Sequence, residues 1–319
     1  MHPAKSVIYF TVATGAGYGL FIWLAVLSYH GMLPADNRLF TFVVLAISLG
    51  LIITGLLSST LHLGHPERAW RALSQWRSSW LSREGVMAIL TFIPVSIFAC
   101  LWFFQGQNTG IAAIIGLIGG VMALLTVFTT SMIYASIKAI PAWYNSWTKL
   151  GYLVMSLMSG AVLIMAITSI TGLKEASEHM FVPVSILLIL GFFVKTLYWQ
   201  FILRKKAVST AESATGLGGF GKVSLAGSPH SSDNYLLKEM GFRIARKHAS
   251  KIRFLAVVLG FILPFILVGT AIYYAAGYTQ SALVTAAALS TMLGLVFERW
   301  LFFAEAKHAV TLYYGESKV

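Results

Sequence analysis

Between Gly55 and Glu84 the chain gathers two histidines (His62, His65), four arginines (Arg68, Arg71, Arg77, Arg83), three tryptophans (Trp70, Trp76, Trp80) and two acids (Glu67, Glu84). An imidazole, with an unperturbed pKa of about 6.5, takes up and gives back protons near neutrality. A carboxylate can share or relay them. His62 closes one apolar run and Glu84 opens the next, so a reversal of the chain sets both at one membrane depth. Beside them lies a surface walled by tryptophan and rimmed by arginine, a place suited to loading or unloading a lipophilic substrate that carries protons. Arg68 adds a fixed cation able to hold a developing anion or dock an acidic partner. Trp70 either anchors at the membrane interface, where tryptophan is common, or lines the site.

The solvent around these residues is lipid. Apolar residues make up 57% of the sequence and charged ones 11%, against about 25% charged in soluble domains. A span needs about 20 apolar residues to cross the hydrocarbon layer. Runs of that kind fall at 6–29, 39–62, 86–104, 110–137, 149–172, 180–203, 253–275 and 281–304. The expected fold is therefore an all-α bundle of eight transmembrane helices in a single domain, residues 1–319, with short interfacial helices. The first run is too long for the core of a removable signal peptide and stays as a span. Eight spans put both termini on one side. Lys and Arg crowd the loops of that side, whereas Arg38 and Lys174 alone lie opposite. This predicts an N-in, C-in orientation, and the net +12 reads as a basic membrane face rather than a nucleic-acid surface.

One cysteine, Cys100, excludes a disulfide framework or a thiolate set for zinc or an iron–sulfur cluster. Transmembrane haem needs axial histidines inside the spans. His30, His62, His179 and His308 stand at span ends, and His2, His65, His230 and His248 outside them. The sequence thus predicts no metal, haem or cluster in this protein, and electrons would pass between a membrane-soluble carrier and an external centre.

In the reversal, Pro66 suits a first helical turn, and Ala69, Trp70, Leu73, Trp76 and Trp80 recur at helical spacing, predicting an interfacial helix. The long loop at 204–252 combines a flexible Gly/Ser-rich part with a predicted amphipathic helix capped by Asp233. Its Gly216-Leu217-Gly218-Gly219-Phe220-Gly221 formally matches a dinucleotide fingerprint but lacks the preceding strand and following helix. Gly15 and Gly19, and Gly116 and Gly120, carry the spacing of close helix packing; Tyr18 between the first pair could also face a lipid-accessible pocket. Lys195, Glu298, Arg299 and Glu305 lie within or near spans, where charges face the interior and pair. An ion pair of Lys195 with Glu298 is expected, with a proton path as the alternative.

Leu61-His62-Leu63-Gly64-His65-Pro66-Glu67-Arg68-Ala69-Trp70, Leu81-Ser82-Arg83-Glu84 and Pro141-Ala142-Trp143-Tyr144-Asn145-Ser146-Trp147-Thr148 resemble the membrane anchor subunits of the dimethyl sulfoxide reductase family. Met1-His2-Pro3-Ala4 with Ser6-Val7-Ile8, the Gly15–Gly19 cluster, and Asn234-Tyr235-Leu236-Leu237-Lys238-Glu239-Met240-Gly241-Phe242 are most similar to the branch serving cytoplasmic sulfite dehydrogenases. The resemblance runs over essentially the whole chain. It implies an eight-span, haem-free subunit of the bacterial inner membrane that binds quinone or quinol, ubiquinone or menaquinone, as an exchangeable substrate. It also implies two partners, a four-cluster iron–sulfur subunit and a molybdopterin catalytic subunit. By motif, His62 and Glu84 match the histidine and acid of the family's quinol site; Arg68, Trp70 and Tyr18 are the further candidates for contacting the quinone. Lys149 follows Thr148 where the family pattern has proline, so the 141–149 segment is expected only to shape a turn. Two other readings compete: a small secondary transporter with an anion-binding gate at 55–84, and a purely structural anchor. Against the first, the sequence shows no internal repeat and no pair of broken spans.

Overall fold

The computed structural model describes residues 5–60, 65–205, 209–227 and 246–314. Among these, eight helices are long and apolar enough to cross a membrane: α1 (Lys5–Tyr29), α2 (Arg38–Ser58), α3 (Trp80–Gln105), α4 (Ile111–Ala135), α5 (Ser146–Ile170), α6 (Lys174–Arg204), α7 (Ala249–Tyr274) and α8 (Tyr278–Ala304). The described residues are helical and contain no β-strand. The expected eight-span fold is what is observed, with the largest displacements at two helix starts. α3 begins at Trp80 rather than at 86, and α6 begins with a short helix, Lys174–His179. Hydropathy misses these starts because they carry polar and charged side chains, Ser82, Arg83 and Glu84 in α3 and Lys174, Glu175 and Glu178 in α6.

Short polar loops set the helix ends. Asn37 caps α2, its side chain accepting from the Phe40 N–H at 3.0 Å, and Asn145 caps α5 by accepting from Thr148 N–H at 3.0 Å. The 141–149 segment does shape a turn. Gly106, at φ 65°, closes α3 in the left-handed conformation that glycine adopts without a Cβ penalty. In α7 a π-turn, Val258–Ile262, precedes Pro264. Proline has no N–H and its ring collides with the carbonyl four residues back, and the wider turn makes room for it.

α1 and α5 form the centre, with 83% and 67% of their apolar windows buried. α1 contacts α5, α2, α4 and α8, α3 lies along α4, and α7 along α8. Lipid tails are as apolar as leucine, so helices hold together by close packing and interhelical hydrogen bonds rather than by hydrophobic gain. At the α1–α5 crossing a Cβ on Gly19 would collide with the Ser156 backbone, and one on Gly160 with the Gly19 backbone. Hydrogen bonds join the same layers: Ser156 Oγ to Gly15 O at 2.7 Å, Ser48 Oγ to Gly17 O at 3.0 Å, and Trp23 Nε1 to Leu157 O at 2.9 Å. Gly116 meets the Phe98 ring. The expected packing role of these glycines is thus realised.

The amphipathic helix predicted from Asp233 lies outside the described residues. The described part of that loop, 209–227, holds a short helix, Ala211–Thr215, capped by Thr210. No strand precedes Gly216 there. Beyond it, Arg246 donates to the carbonyls of Ala304 and Ala306 at 2.9 and 3.0 Å, placing a cation on the C-terminal end of α8. Burial, helped by the Arg246 guanidinium, holds the nearby His308 imidazole below its ordinary pKa.

Candidate functional site

Glu84 sits in the second turn of α3, 5% exposed, and its position follows from how the preceding reversal is tied down. The reversal is a 3-10 helix, Pro66–Gln75, where an interfacial helix was expected. Ala69 and Leu73 turn inward, with Leu73 against Gly85 of α3. Ser82 donates from its hydroxyl to the Ala72 carbonyl. Arg83 donates to Trp76 O at 3.0 Å and Arg77 O at 2.7 Å while its guanidinium lies 4.3 Å from the Trp80 ring centroid. Arg83 therefore fastens the reversal to the start of α3 and points Glu84, one residue on, into the bundle.

There the Thr130 hydroxyl of α4 donates to Glu84 Oε1 at 2.5 Å. A buried carboxyl held by one hydroxyl keeps further lone pairs for a second partner. Tyr18 of α1, Tyr134 of α4 and Tyr152 of α5 all lie within electrostatic range of Glu84. Tyr18 is buried, and its hydroxyl makes no hydrogen bond among the described residues. Tyr18 is thus placed in the interior beside Glu84.

His62 lies outside the described residues. His65, the next histidine, is exposed, with Nδ1 3.0 Å from Glu67 Oε1. Arg68 is also exposed, 3.7 Å from the same carboxylate oxygen. Trp70 is 67% exposed and carries the Arg71 guanidinium on its face at 5.6 Å, and Trp76 and Arg77 repeat the arrangement at 5.5 Å. Arg68 and Trp70 therefore belong to the rim, whereas Glu84 and Tyr18 belong to the interior.

A second constellation flanks the first. Glu298 of α8 pairs with Lys195 of α6, as expected, and also with Arg299 at 3.2 Å. All three side chains are buried. Arg299 lies 3.9 Å from the Tyr152 ring centroid, and Lys195 4.0 Å from that of Tyr198, contacts in which an aromatic face stabilises a cation. Further toward the helix ends Arg253 pairs with Glu305.

A cavity of about 20 Å³, room for one water, lies between α1, α4, α5 and α8, and its walls include Thr130, Tyr152 and Arg299. Sequence reading misses Thr130 and Tyr152. The available signal was a polar stripe at helical spacing inside an apolar span: Thr126, Thr130 and Tyr134 in α4, and Tyr152, Ser156 and Ser159 in α5. No three His, Cys, Asp or Glu side chains come close enough to hold a metal ion among the described residues.

Residues 1–315 match the family described as DMSO reductase anchor subunit (DmsC). The sequence is 32% identical to the C subunit of sulfite dehydrogenase from Allochromatium vinosum, over 98% of this protein and 99% of that one. It is 28% identical to the C chain of anaerobic dimethyl sulfoxide reductase from Escherichia coli K12, over 56% of this protein and 62% of the other. These matches lend the transporter reading no support. With its eight spans, the chain is a multi-pass membrane protein and belongs to the DMSO reductase anchor subunit family.

Proposed function

We propose that this protein anchors a molybdopterin oxidoreductase to the bacterial inner membrane and exchanges electrons and protons between the quinone pool and an iron–sulfur partner subunit, most consistently in sulfite oxidation. The observation that carries the reading is Glu84, a buried carboxyl held by Thr130 directly behind the tryptophan- and arginine-rich reversal. Full-length likeness to the C subunit of a sulfite dehydrogenase supports the choice of reaction.

A quinone taking two electrons from the partner's cluster must also take two protons. In this reading Glu84 and His62 deliver them to the two quinone oxygens, at a mouth beside the Pro66–Gln75 reversal. Tyr18 bounds the inner wall, Arg68 steadies negative charge as it develops at the ring, and Trp70 covers the mouth. Proton donors placed within hydrogen-bond reach contribute about 100- to 10,000-fold to rate. In a reductase the same steps run backwards.

Replacing Glu84 with Gln in the purified complex keeps the side chain's shape and removes its proton chemistry. Quinone-linked turnover is expected to fall at least 100-fold, and dye-linked turnover by the partner subunits, which bypasses the membrane subunit, to continue. His62→Gln is expected to behave alike. Wild-type quinone-linked rates in Glu84→Gln would overturn the reading.

A further inference from the structure

Ten buried side-chain nitrogen or oxygen atoms make no hydrogen bond among the described residues, and eight of them belong to one region: Tyr18, Tyr152, Tyr198, Trp199, Arg253, Trp300, Glu305 and Glu298, whose Oε2 has only its ion pair with Arg299. Only Ser28 and Asn108 lie elsewhere. Unsatisfied polar atoms in a bundle interior are costly, and where they cluster around sufficient space they hold water. They run in a series from Glu84. Thr130 donates to Glu84 and lines the cavity. Tyr152 lines the same cavity, and its hydroxyl, with Tyr134 beside it, makes no hydrogen bond of good geometry. Arg299 covers the Tyr152 ring and joins Glu298, which joins Lys195 over Tyr198. Glu305 acts electrostatically on both Lys195 and Tyr198 and pairs with the partly exposed Arg253.

We propose that this layer is a water-bearing proton relay that refills Glu84 from the Arg253–Glu305 end of the bundle, by way of the cavity between Thr130 and Tyr152. The proposal rests on the reading of Glu84 as a proton donor to quinone. Its direction follows from Arg299, a fixed cation on the cavity wall that disfavours a resident hydronium and favours a missing proton. When Glu84 has given its proton away, its carboxylate takes the Thr130 hydroxyl proton, Thr130 takes one from the cavity water, and the water takes the Tyr152 proton. The tyrosinate, with Arg299 over its ring, is refilled by way of Glu298, which takes the proton from the Lys195 ammonium it pairs with, and Lys195 is refilled through Tyr198 and Glu305 from bulk water. One proton enters at the outer end for each one delivered, and every group returns to its starting state. The route is separate from the tryptophan- and arginine-rich reversal at which the proposed function places the quinone.

The test uses the purified complex, with sulfite as electron source and a water-soluble quinone as acceptor. Turnover is measured in light and heavy water, and proton uptake is followed by a pH-indicator dye in stopped flow. Thr130→Val and Tyr152→Phe are each expected to slow quinone-linked turnover and proton uptake together by tenfold or more and to enlarge the solvent isotope effect. Thr130→Ser, which keeps the hydroxyl, is expected to restore both to within twofold of wild type. Tyr152→Phe removes a single oxygen and keeps the ring contacts, so it decides the matter if Thr130→Val fails to assemble. Wild-type rates and isotope effect in Tyr152→Phe, with Glu84→Gln inactive, would overturn the relay and leave the quinone reading standing. An active Glu84→Gln would overturn both.

Discussion

At the scale of single residues, the Lys195–Glu298–Arg299 triad makes an asymmetric claim. Breaking a buried ion pair by removing one partner costs about 3–5 kcal/mol because an uncompensated charge is left behind. Glu298 is the shared partner of two cations, so Glu298→Gln strands both Lys195 and Arg299 in the interior. Lys195→Met, by contrast, leaves Glu298 paired with Arg299 and puts an apolar side chain of similar volume among Tyr198, Trp199 and Phe302, the rings that now face the ammonium. Glu298→Gln should therefore lower the thermal unfolding midpoint of the detergent-purified protein well below that of Lys195→Met. Equal midpoints, or the reverse order, would show that the aromatic faces hold Lys195 and Arg299 without the carboxylate.

Among whole elements, the decisive contact is the crossing of α1 and α5. Gly19 and Gly160 each face backbone of the other helix, and an added Cβ would force the helices apart. Overpacking of this kind costs about 1–3 kcal/mol, set against the gain of about 0.5–1 kcal/mol that alanine brings over glycine in a helix. Gly19→Ala and Gly160→Ala should thus destabilise, whereas Gly50→Ala in α2, where a Cβ meets nothing within 4 Å, should be neutral or slightly stabilising. Unfolding midpoints read the difference directly, and a neutral Gly19→Ala would mean that the crossing relaxes at no cost. The sequence announces part of this: the Gly15/Gly19 spacing points to close packing, and the eight apolar runs point to the helices. It is silent on the partner, because Gly160 is one glycine in an apolar span and only the crossing angle selects it. The Glu84–Thr130 hydrogen bond joins residues 46 apart with no local pattern to connect them. Glu84 itself is legible, since a carboxyl at the head of an apolar run is costly there unless it has a partner or a task. The rim is less legible: Trp70 shares the helical spacing of Ala69 and Leu73, and it is the 3-10 helix that sets it outward beside Arg71.

For the molecule as a whole, orientation in the bilayer decides whether the proposed chemistry has access to its partners. α3 and α7 begin, and α4, α6 and α8 end, on the same face as Glu84, because eight antiparallel spans alternate. That face carries Arg68, Arg71, Arg77, Arg83, Lys138, Lys149, Arg204 and Lys205, against Arg38 and Lys174 opposite. Retention of Lys and Arg loops in the cytoplasm would put the Glu84 mouth, the Arg253–Glu305 end of the relay and any docked iron–sulfur subunit all on the cytoplasmic side. The alternative is that the basic face was selected to hold an acidic partner and sits outside. Single cysteines separate these in a Cys100→Ala background, probed on intact spheroplasts with a membrane-impermeant maleimide. Gln107→Cys, in the loop after α3, should label before lysis, and Lys222→Cys, in the described part of the long loop, only after it. The opposite pattern would leave proton uptake for quinone reduction facing outward, and the relay would then draw on the wrong compartment.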